Sequence, residues 1–273
     1  TRKLFIGGLQ KRSDSGYDKH IYSSNELIGQ VPLGNRKDIR DAVESASNES
    51  KWRSMSAHAR AQILYYAAEN LDLRKDEFAQ TIQLMTGENG KDEVDQALEN
   101  IFYFASWADK FEGTIHNVPI RGVSLAMKEP LGVIAIVCPD NNPLLSFIHL
   151  VFSALCMGNT VVVVPSEKHP LCAIDMYQIF ETSDFPPGAI NIVTGNRDEL
   201  SETLSKHMQV DGIWYFGSKE GSKKIEENSN SNLKQTWVNN GLSYSWVNLP
   251  KEIKMKSLQK SIQIKNIWIP YGE

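Results

Sequence analysis

The residues best suited to chemistry lie in polar loops that follow apolar, strand-like runs. The first loop, residues 139–143, contains Asn141, whose side-chain amide can donate to an oxyanion. The second loop, Pro165-Ser166-Glu167, places a carboxylate where acidic residues of dinucleotide-binding folds accept ribose hydroxyls. These two loops therefore predict a ligand site at one edge of a sheet.

A third loop begins with Gly217 and Ser218 and opens a helix, whose N-terminal amides can hold a phosphate. All three loops also have a structural interpretation, because Asp, Asn, Pro and Gly are the usual residues of turns that start helices. The chain has no G-x-G-x-x-G and no Walker motif, so the third loop is weakly specific. Cys138 has the side chain of a nucleophile, but its apolar neighbours favour a small buried residue.

Composition excludes several function classes. The 29 basic and 33 acidic residues give a formal charge of −4 without a basic stripe, which argues against nucleic acid as a partner. The apolar stretches fall short of a membrane span, and no signal peptide opens the chain. Three cysteines in apolar segments and scattered histidines indicate reduced thiols without a metal site, as in a cytoplasmic protein.

The first 117 residues are predicted to be mainly helical. Asn35 is expected to cap a helix, with Asp38 completing a capping-box arrangement. Apolar spacing predicts further helices over 57–73, 77–85 and 93–111, and short strands over 3–8 and 19–23.

From residue 118 onward, strands alternate with helices. Strands are predicted over 132–138, 160–164, 189–193, 212–216 and 234–238, and helices over 143–157, 170–182, 198–207 and 218–229. The regular recurrence suits right-handed crossovers, and an unbroken valine run at 161–164 fits a sheet covered on both faces. The sequence therefore predicts an α/β fold with a doubly wound parallel sheet over 132–241.

Two segments outside this sheet, 118–131 and 260–273, are predicted to contain one strand each, at 123–128 and at 261–269. In the second, the apolar side changes midway, which predicts a bulge or twist between Ile264 and Ile267. The Ser- and Lys-rich stretch 242–259 predicts a polar linker.

Four collinear segments resemble the aldehyde dehydrogenase superfamily. They are Phe-Ala-Ser-Trp-Ala-Asp-Lys at 104–110, Lys-Glu-Pro-Leu-Gly-Val at 128–133, Gly-Asn-Thr-Val-Val at 158–162 and Phe-Pro-Pro-Gly-Ala-Ile-Asn-Ile-Val-Thr-Gly at 185–195. Weaker likeness extends from Lys3 to Gly241. Segments 3–8, 34–39 and 214–218 are most similar to the shortened second copy found in family-16 aldehyde dehydrogenases, and the missing initiator Met fits such a piece.

The resemblance implies a Rossmann-like NAD(P)-binding unit and a small β arm that packs against another subunit. Asn141 matches the oxyanion Asn, and Glu167 matches the acid on the ribose side. Three positions depart from the pattern: Asp140 replaces an aromatic residue, Val164 replaces a ribose-binding Lys, and Val238 replaces the Glu that activates water.

The resemblance also implies that the catalytic domain is missing, since only a short stretch separates Gly241 from the last strand. Without the thiolate no covalent intermediate forms, and without the Glu its hydrolysis lacks a base. Loss of the ribose Lys costs about 10- to 150-fold in affinity. We therefore expect no turnover by this chain alone, no required cofactor and at most weak NAD binding at the remnants of the site.

The leading expectation is an inactive module for oligomerisation, either as a homodimer or docked on a full aldehyde dehydrogenase unit of the same polypeptide. An apolar arm face is expected to serve this role, formed by Val123, Leu125, Met127, Ile262 and Ile264. Two alternatives stay open: part of an active NAD(P)-dependent enzyme whose chemistry lies in another domain, and a weak NAD-binding sensor.

Overall fold

The computed structural model describes residues 2–119 and 121–271, which form three β-sheets flanked by helices. Thr1 of the predicted N-terminal region, and Ile120, Gly272 and Glu273 of the predicted β arm, lie outside the described residues. The strands are β1 (Leu4–Ile6), β2 (Leu9–Lys11), β3 (Asp18–Ser23), β4 (Glu26–Pro32), β5 (Thr114–His116), β6 (Gly122–Pro130), β7 (Val133–Val137), β8 (Thr160–Val164), β9 (Ile190–Ile192), β10 (Gly212–Tyr215), β11 (Gln235–Val238) and β12 (Ile262–Pro270).

The α-helices agree with the predicted ones to within four residues, except that the helix predicted over 170–182 is divided in two and that the helices at 51–54 and 251–260 were not predicted. They are α1 (Arg36–Asn48), α2 (Lys51–Ser54), α3 (Ala57–Leu73), α4 (Lys75–Thr86), α5 (Gly90–Trp107), α6 (Pro143–Cys156), α7 (Leu171–Asp175), α8 (Tyr177–Thr182), α9 (Arg197–Lys206), α10 (Lys219–Asn228) and α11 (Lys251–Lys260). The predicted capping box of α1 is confirmed, because the Asn35 side chain accepts from the Asp38 amide while that of Asp38 accepts from the Asn35 amide.

The large sheet has the strand order β11-β10-β7-β8-β9-β1-β2 in the described residues. Its first five strands are parallel, as predicted, whereas β1 and β2 are antiparallel additions at one edge. Gly7 and Gly8 join these two at φ of 64° and 72°, a left-handed conformation that glycine adopts without strain. The sheet is therefore a doubly wound parallel sheet extended by a hairpin.

Both faces of the sheet are covered. Along β7, Ile134 and Ile136 belong to one core cluster, while Val133, Ala135 and Val137 belong to another on the opposite face. Helix α6 is buried at every residue, and the carboxylate Oε1 of the buried Glu93 accepts the N–H groups of Leu144 and Leu145 at 2.8 and 3.0 Å. The unpaired amides at the start of a buried helix are thus satisfied by a side chain of α5.

A three-stranded sheet of β5, β6 and β12, here called the arm sheet, lies apart from the large sheet. β12 pairs with β6 in one unbroken register, from Ile262 opposite Pro130 to Pro270 opposite Gly122. The predicted bulge is therefore wrong. Because opposed residues share a face, Ile262 and Ile264 lie on the side opposite Val123, Leu125 and Met127.

The apolar arm face must be redrawn from this register. Ile267 and Ile269 of β12 stand opposite Leu125 and Val123, and Ile115 of β5 stands opposite Leu125 on the other side. The apolar residues of this face are Ile115, Val123, Leu125, Met127, Ile267 and Ile269, and one end of it also carries Glu129, Gln263 and Lys265.

The stretch predicted to be a polar linker is folded. Residues 239–261, here called the bypass segment, connect β11 to β12 and contain α11, which contacts α6. Trp246 and Leu258 are buried in the core cluster that includes α6, and Ser257 Oγ lies 2.7 Å from His149 Nε2 of α6. The prediction failed because a few large apolar residues, spread among polar ones, are enough to hold the segment against the core.

Replacing the fully buried Leu258 by Ala tests whether the bypass segment contributes to stability. We expect a loss of about 2–5 kcal/mol in the free energy of unfolding, because the truncation leaves a cavity between α11 and α6. Urea unfolding followed by circular dichroism measures it. The control, Leu84→Ala on the exposed side of α4, should change stability by less than about 0.5 kcal/mol. Equal small losses would mean that the segment is not part of the cooperative core.

Candidate functional site

The carboxyl ends of the parallel strands form one edge of the large sheet, here called the carboxyl edge, where the loops after β7, β8, β9 and β10 meet. In open α/β sheets, ligands bind at this edge. The predicted site residues all lie in these loops. Their contacts show which of them are available to a ligand.

Asp140 connects three of the loops. Its Oδ1 accepts the hydroxyl of Ser166 at 2.8 Å and the amide of Glu167 at 3.1 Å, and it pairs with the guanidinium of Arg197 at the start of α9. Burial raises the pKa of Asp140, but the pairing with Arg197 and the hydrogen bonds outweigh it and lower the pKa overall. A charged network internal to the protein thus occupies the centre of the carboxyl edge.

Glu167, the predicted ribose acceptor, already has protein partners. Its Oε2 accepts the backbone N–H of Arg197 at 2.9 Å, and its Oε1 lies 3.4 Å from Lys19 Nζ. It therefore acts as a cap for the amino end of α9. Pro165 and Ser166 are buried beside it, and Ser166 donates to Asp140.

Asn141, the predicted oxyanion donor, uses its amide within the protein as well. Its Nδ2 donates to the carbonyl of Tyr244, in the bypass segment, at 2.8 Å. Asn141 lines a cavity of about 210 Å³ together with Asp140, Arg197, Gly217 and Trp246. Of the predicted site residues, the structure brings only Asn141 and Gly217 to this cavity.

The loop of Gly217 and Ser218 wraps around a tyrosine. A Cβ placed on Gly217 or Gly221 would come within 2.4 or 1.9 Å of the Tyr215 hydroxyl oxygen. The two glycines therefore make room for a side chain of β10. Ser218 caps α10 by accepting the amide of Gly221 at 2.9 Å.

Two positions that depart from the family pattern are part of the core. Val164 is buried in the apolar cluster that contains Val133, Ala135 and Val137, and the partly buried Val238 packs against that cluster. All three cysteines are buried, and burial raises the pKa of each thiol, including that of Cys138. None of them has the exposure and low pKa of a nucleophilic thiolate.

Residues 2–119 and 121–271 contain neither a metal-binding cluster nor a membrane-spanning helix. No group of three His, Cys, Asp or Glu side chains there is arranged to hold a metal ion. No helix there has the length and apolar character needed to cross a membrane.

Sequence reasoning missed Arg197, Tyr244 and Trp246. Arg197 could have been noticed as a cation between the strand predicted over 189–193 and the helix predicted over 198–207, at the same edge as Asp140 and Glu167. Tyr244 and Trp246 are aromatic residues in a polar stretch, and their size was the available signal.

The chain matches the model of the aldehyde dehydrogenase family over residues 10–247. It is 33% identical to human retinaldehyde dehydrogenase 3 over 247 residues, covering 85% of this chain and 48% of that protein. It is 32% identical to cytosolic aldehyde dehydrogenase 1 of Elephantulus edwardii over 246 residues, covering 85% and 49%. The chain therefore spans about half the length of the curated relatives it matches.

Solved structures agree with the sequence relatives. A putative aldehyde dehydrogenase from Burkholderia cenocepacia matches with a TM-score of 0.84 and 27% identity, covering 87% of this chain and 50% of that one. An aldehyde dehydrogenase from Bacillus cereus, solved as its NAD+ complex, matches with a TM-score of 0.83 and 26% identity over the same shares.

Asp140→Asn tests the charged network. We expect a loss of about 1.5–3 kcal/mol in the free energy of unfolding near pH 7, because Arg197 loses its charged partner. Since the folded pKa of Asp140 is lowered, its stabilisation is present above the unfolded pKa of about 3.9 and is lost as pH falls through the folded pKa. Urea unfolding of both proteins at pH 7 and at about pH 3 should show the difference shrinking in acid.

The control for this variant is Asp109→Asn. Asp109 lies 3.9 Å from Lys110 in a more exposed pair, so its replacement should cost less than about 1 kcal/mol. A difference between wild type and Asp140→Asn that stays constant with pH would contradict the assigned role of Asp140.

Proposed function

The chain belongs to the aldehyde dehydrogenase family, and from that premise we propose that it is a catalytically inactive module for assembly. It associates with a second copy or docks on a full aldehyde dehydrogenase unit of a longer, family-16-type polypeptide, in the cytoplasm. The observation that carries this proposal is the exposure of the apolar arm face. At the carboxyl edge, by contrast, the polar groups are paired with the protein's own side chains.

Inactivity is supported by the chemistry of the carboxyl edge. The three thiols are buried with raised pKa values, and Val164 and Val238 offer neither a ribose donor nor a general base. The bypass segment alone links β11 to β12, in place of the domain that the resemblance assigns to the nucleophile. Asn141, the one remnant of the catalytic set, is held by Tyr244.

Assembly is supported by exposure. On the apolar arm face, Ile115 is 75% exposed, Ile269 is 50% exposed and Met127 is 43% exposed. In the described residues β12 has a strand neighbour only on its β6 side, so its outer edge is free. Free edges and contiguous apolar patches are features that proteins usually cover with a partner.

Charged substitutions on the apolar arm face test the proposal. Ile269→Glu and Ile115→Glu should each shift the purified chain from dimer towards monomer by at least about tenfold in dissociation constant, because burying an unpaired carboxylate costs several kcal/mol. Size-exclusion chromatography with light scattering over a concentration series measures the shift. Met208→Glu, at a residue 62% exposed and outside the arm sheet, is the matched control.

If the wild-type chain is monomeric, docking within the full polypeptide is tested next. There, the same two substitutions should release the module from the rest of the chain, seen as faster limited proteolysis at its boundary. A monomeric module whose arm substitutions change neither measurement would overturn the proposal.

A second candidate is a weak NAD-binding site, either as a sensor or as part of an active enzyme whose chemistry lies in another domain. Glu167 and Gly217 favour it, because both remain at the carboxyl edge. The Asp140–Arg197 pair and the buried Val164 oppose it.

Calorimetric titration of NAD and NADP into the purified chain tests this candidate. We expect no saturable heat below about millimolar ligand, because the groups that would accept ribose hydroxyls already have partners in the protein. The nucleotide site would be established if binding is saturable, if Glu167→Gln weakens it, and if the exposed control Glu199→Gln leaves it unchanged. It would leave the assembly role to be judged by the arm substitutions.

A further inference from the structure

The outer edge of β12 lacks the features that protect the other sheet edges. β12 runs for nine residues in an unbroken register with β6. Among the described residues, the other edge strands of the arm sheet and the large sheet, β5, β2 and β11, have only three or four residues. The β3–β4 pair has an irregularity between Ile21 and Tyr22. Short strands and bulges keep sheet edges from pairing with other chains, and β12 has neither.

The side chains of β12 also suit a strand that is covered on both sides. Its one charged residue is Lys265, whose Nζ already lies 3.0 Å from Glu129 Oε1 on β6. Ile264 and Trp268 are 61% and 63% exposed, although they lie on the side opposite the apolar arm face. The strand therefore carries exposed apolar side chains on both of its sides, which is typical of a strand inside a sheet.

The hydrogen-bond pattern shows which backbone groups of β12 are free for a partner. Just beyond the strand, the N–H of Tyr271 donates to the carbonyl of Arg121 at 3.1 Å. Opposed residues of an antiparallel pair alternate between hydrogen-bonded and non-hydrogen-bonded positions. The backbone groups that point away from β6 are therefore those of the even-numbered residues, which include Ile264, Asn266 and Trp268. Pro270 belongs to the same set, and proline is tolerated where its missing N–H would face outward from an edge strand.

We propose that β12 pairs antiparallel with β12 of a second copy about a two-fold axis at Asn266. The pairing joins two three-stranded arm sheets into one six-stranded sheet. Asn266 is the middle residue of the strand, so this register opposes the two strands over their whole length. The inference rests on the proposed assembly role, for which it specifies the partner and the register.

This register is self-complementary. It places Ile264 opposite Trp268 of the second copy, and such aromatic and β-branched pairs stabilise neighbouring strands. It also places Lys265 opposite Ile267 of the second copy. An axis at Lys265 would instead set the two ammonium groups directly against each other, which is destabilising. Asn266 lies opposite Asn266 of the second copy, where each side-chain amide can both donate and accept.

Cysteine cross-linking tests the register. Asn266→Cys should give a disulfide-linked dimer under mild oxidation, because opposed residues of a hydrogen-bonded pair have Cα atoms about 5.5 Å apart, within disulfide range. Ile264→Cys is the matched control on the same side of the same strand, because it lies about 14 Å from its counterpart. Mixing Ile264→Cys with Trp268→Cys should restore the cross-link. The three native cysteines are buried and should not contribute.

A backbone substitution tests the pairing itself. Asn266→Pro removes an outward N–H and leaves the hydrogen bonds between β12 and β6 in place, so the two-fold pair loses two hydrogen bonds. The dissociation constant of the dimer should rise by about 5- to 150-fold, measured by light scattering over a concentration series. Asn266→Thr keeps the N–H and a residue favoured in strands, and should leave the constant nearly unchanged. If Asn266→Pro does not fold, the cross-linking pattern decides.

Two results would overturn this inference. A dimer that Asn266→Pro leaves unchanged and that Asn266→Cys does not cross-link would mean that assembly uses another surface, and the proposed function would stand without this register. A chain that stays monomeric at its highest soluble concentration, with no cross-link from Asn266→Cys, would mean that a second copy is not the partner. The proposed function would then depend on docking within the full polypeptide.

Discussion

Burial of helix α6 along its whole length is the constraint on which the rest of the structure depends. A helix with no exposed residue needs cover on every side, and here the large sheet, α3, α5 and α11 provide it. Its amino end needs acceptors as well, and the carboxylate of Glu93 supplies one. Burial raises the pKa of this carboxyl group. His149, inside the same helix, has its pKa lowered to about 3 and is therefore neutral when it meets Ser257.

This constraint explains why the bypass segment is folded. If residues 239–261 were a loose connection, the side of α6 that faces α11 and Trp246 would be open to water. The segment has few apolar residues, but Trp246 and Leu258 are placed where that cover is required. At the carboxyl edge, the carbonyl of Tyr244 in the same segment accepts a hydrogen bond from Asn141. One segment therefore both covers the core and pairs with a polar group of the carboxyl edge. Asp140 and Arg197 complete this occupation with a charged pair that holds three loops together.

The sequence allowed most of the fold to be predicted because its signals are local. The valine run of β8, the apolar spacing of α3 and the capping box at Asn35 are each contained within a few residues, and tertiary structure reinforces them. The errors arose where the deciding contact is distant. The pairing of β12 with β6 fixed which isoleucines share a face, and the packing of Trp246 on α6 turned a polar stretch into a helix-bearing segment. At the candidate site, residue types identified Asn141 and Glu167, but only the structure shows that Tyr244, Arg197 and Lys19 engage them.

The register of the arm sheet has a consequence for how the protein matures. β6 ends at Pro130 and β12 begins at Ile262, so the whole parallel sheet is synthesised between the two partners. During translation this edge of β6 stays unpaired until β12 has been synthesised. The surface proposed for assembly is therefore completed only after the large sheet has had time to fold. A chain shortened before Ile262 would leave that edge of β6 uncovered, so the arm sheet depends on a pairing that spans the whole parallel sheet in sequence.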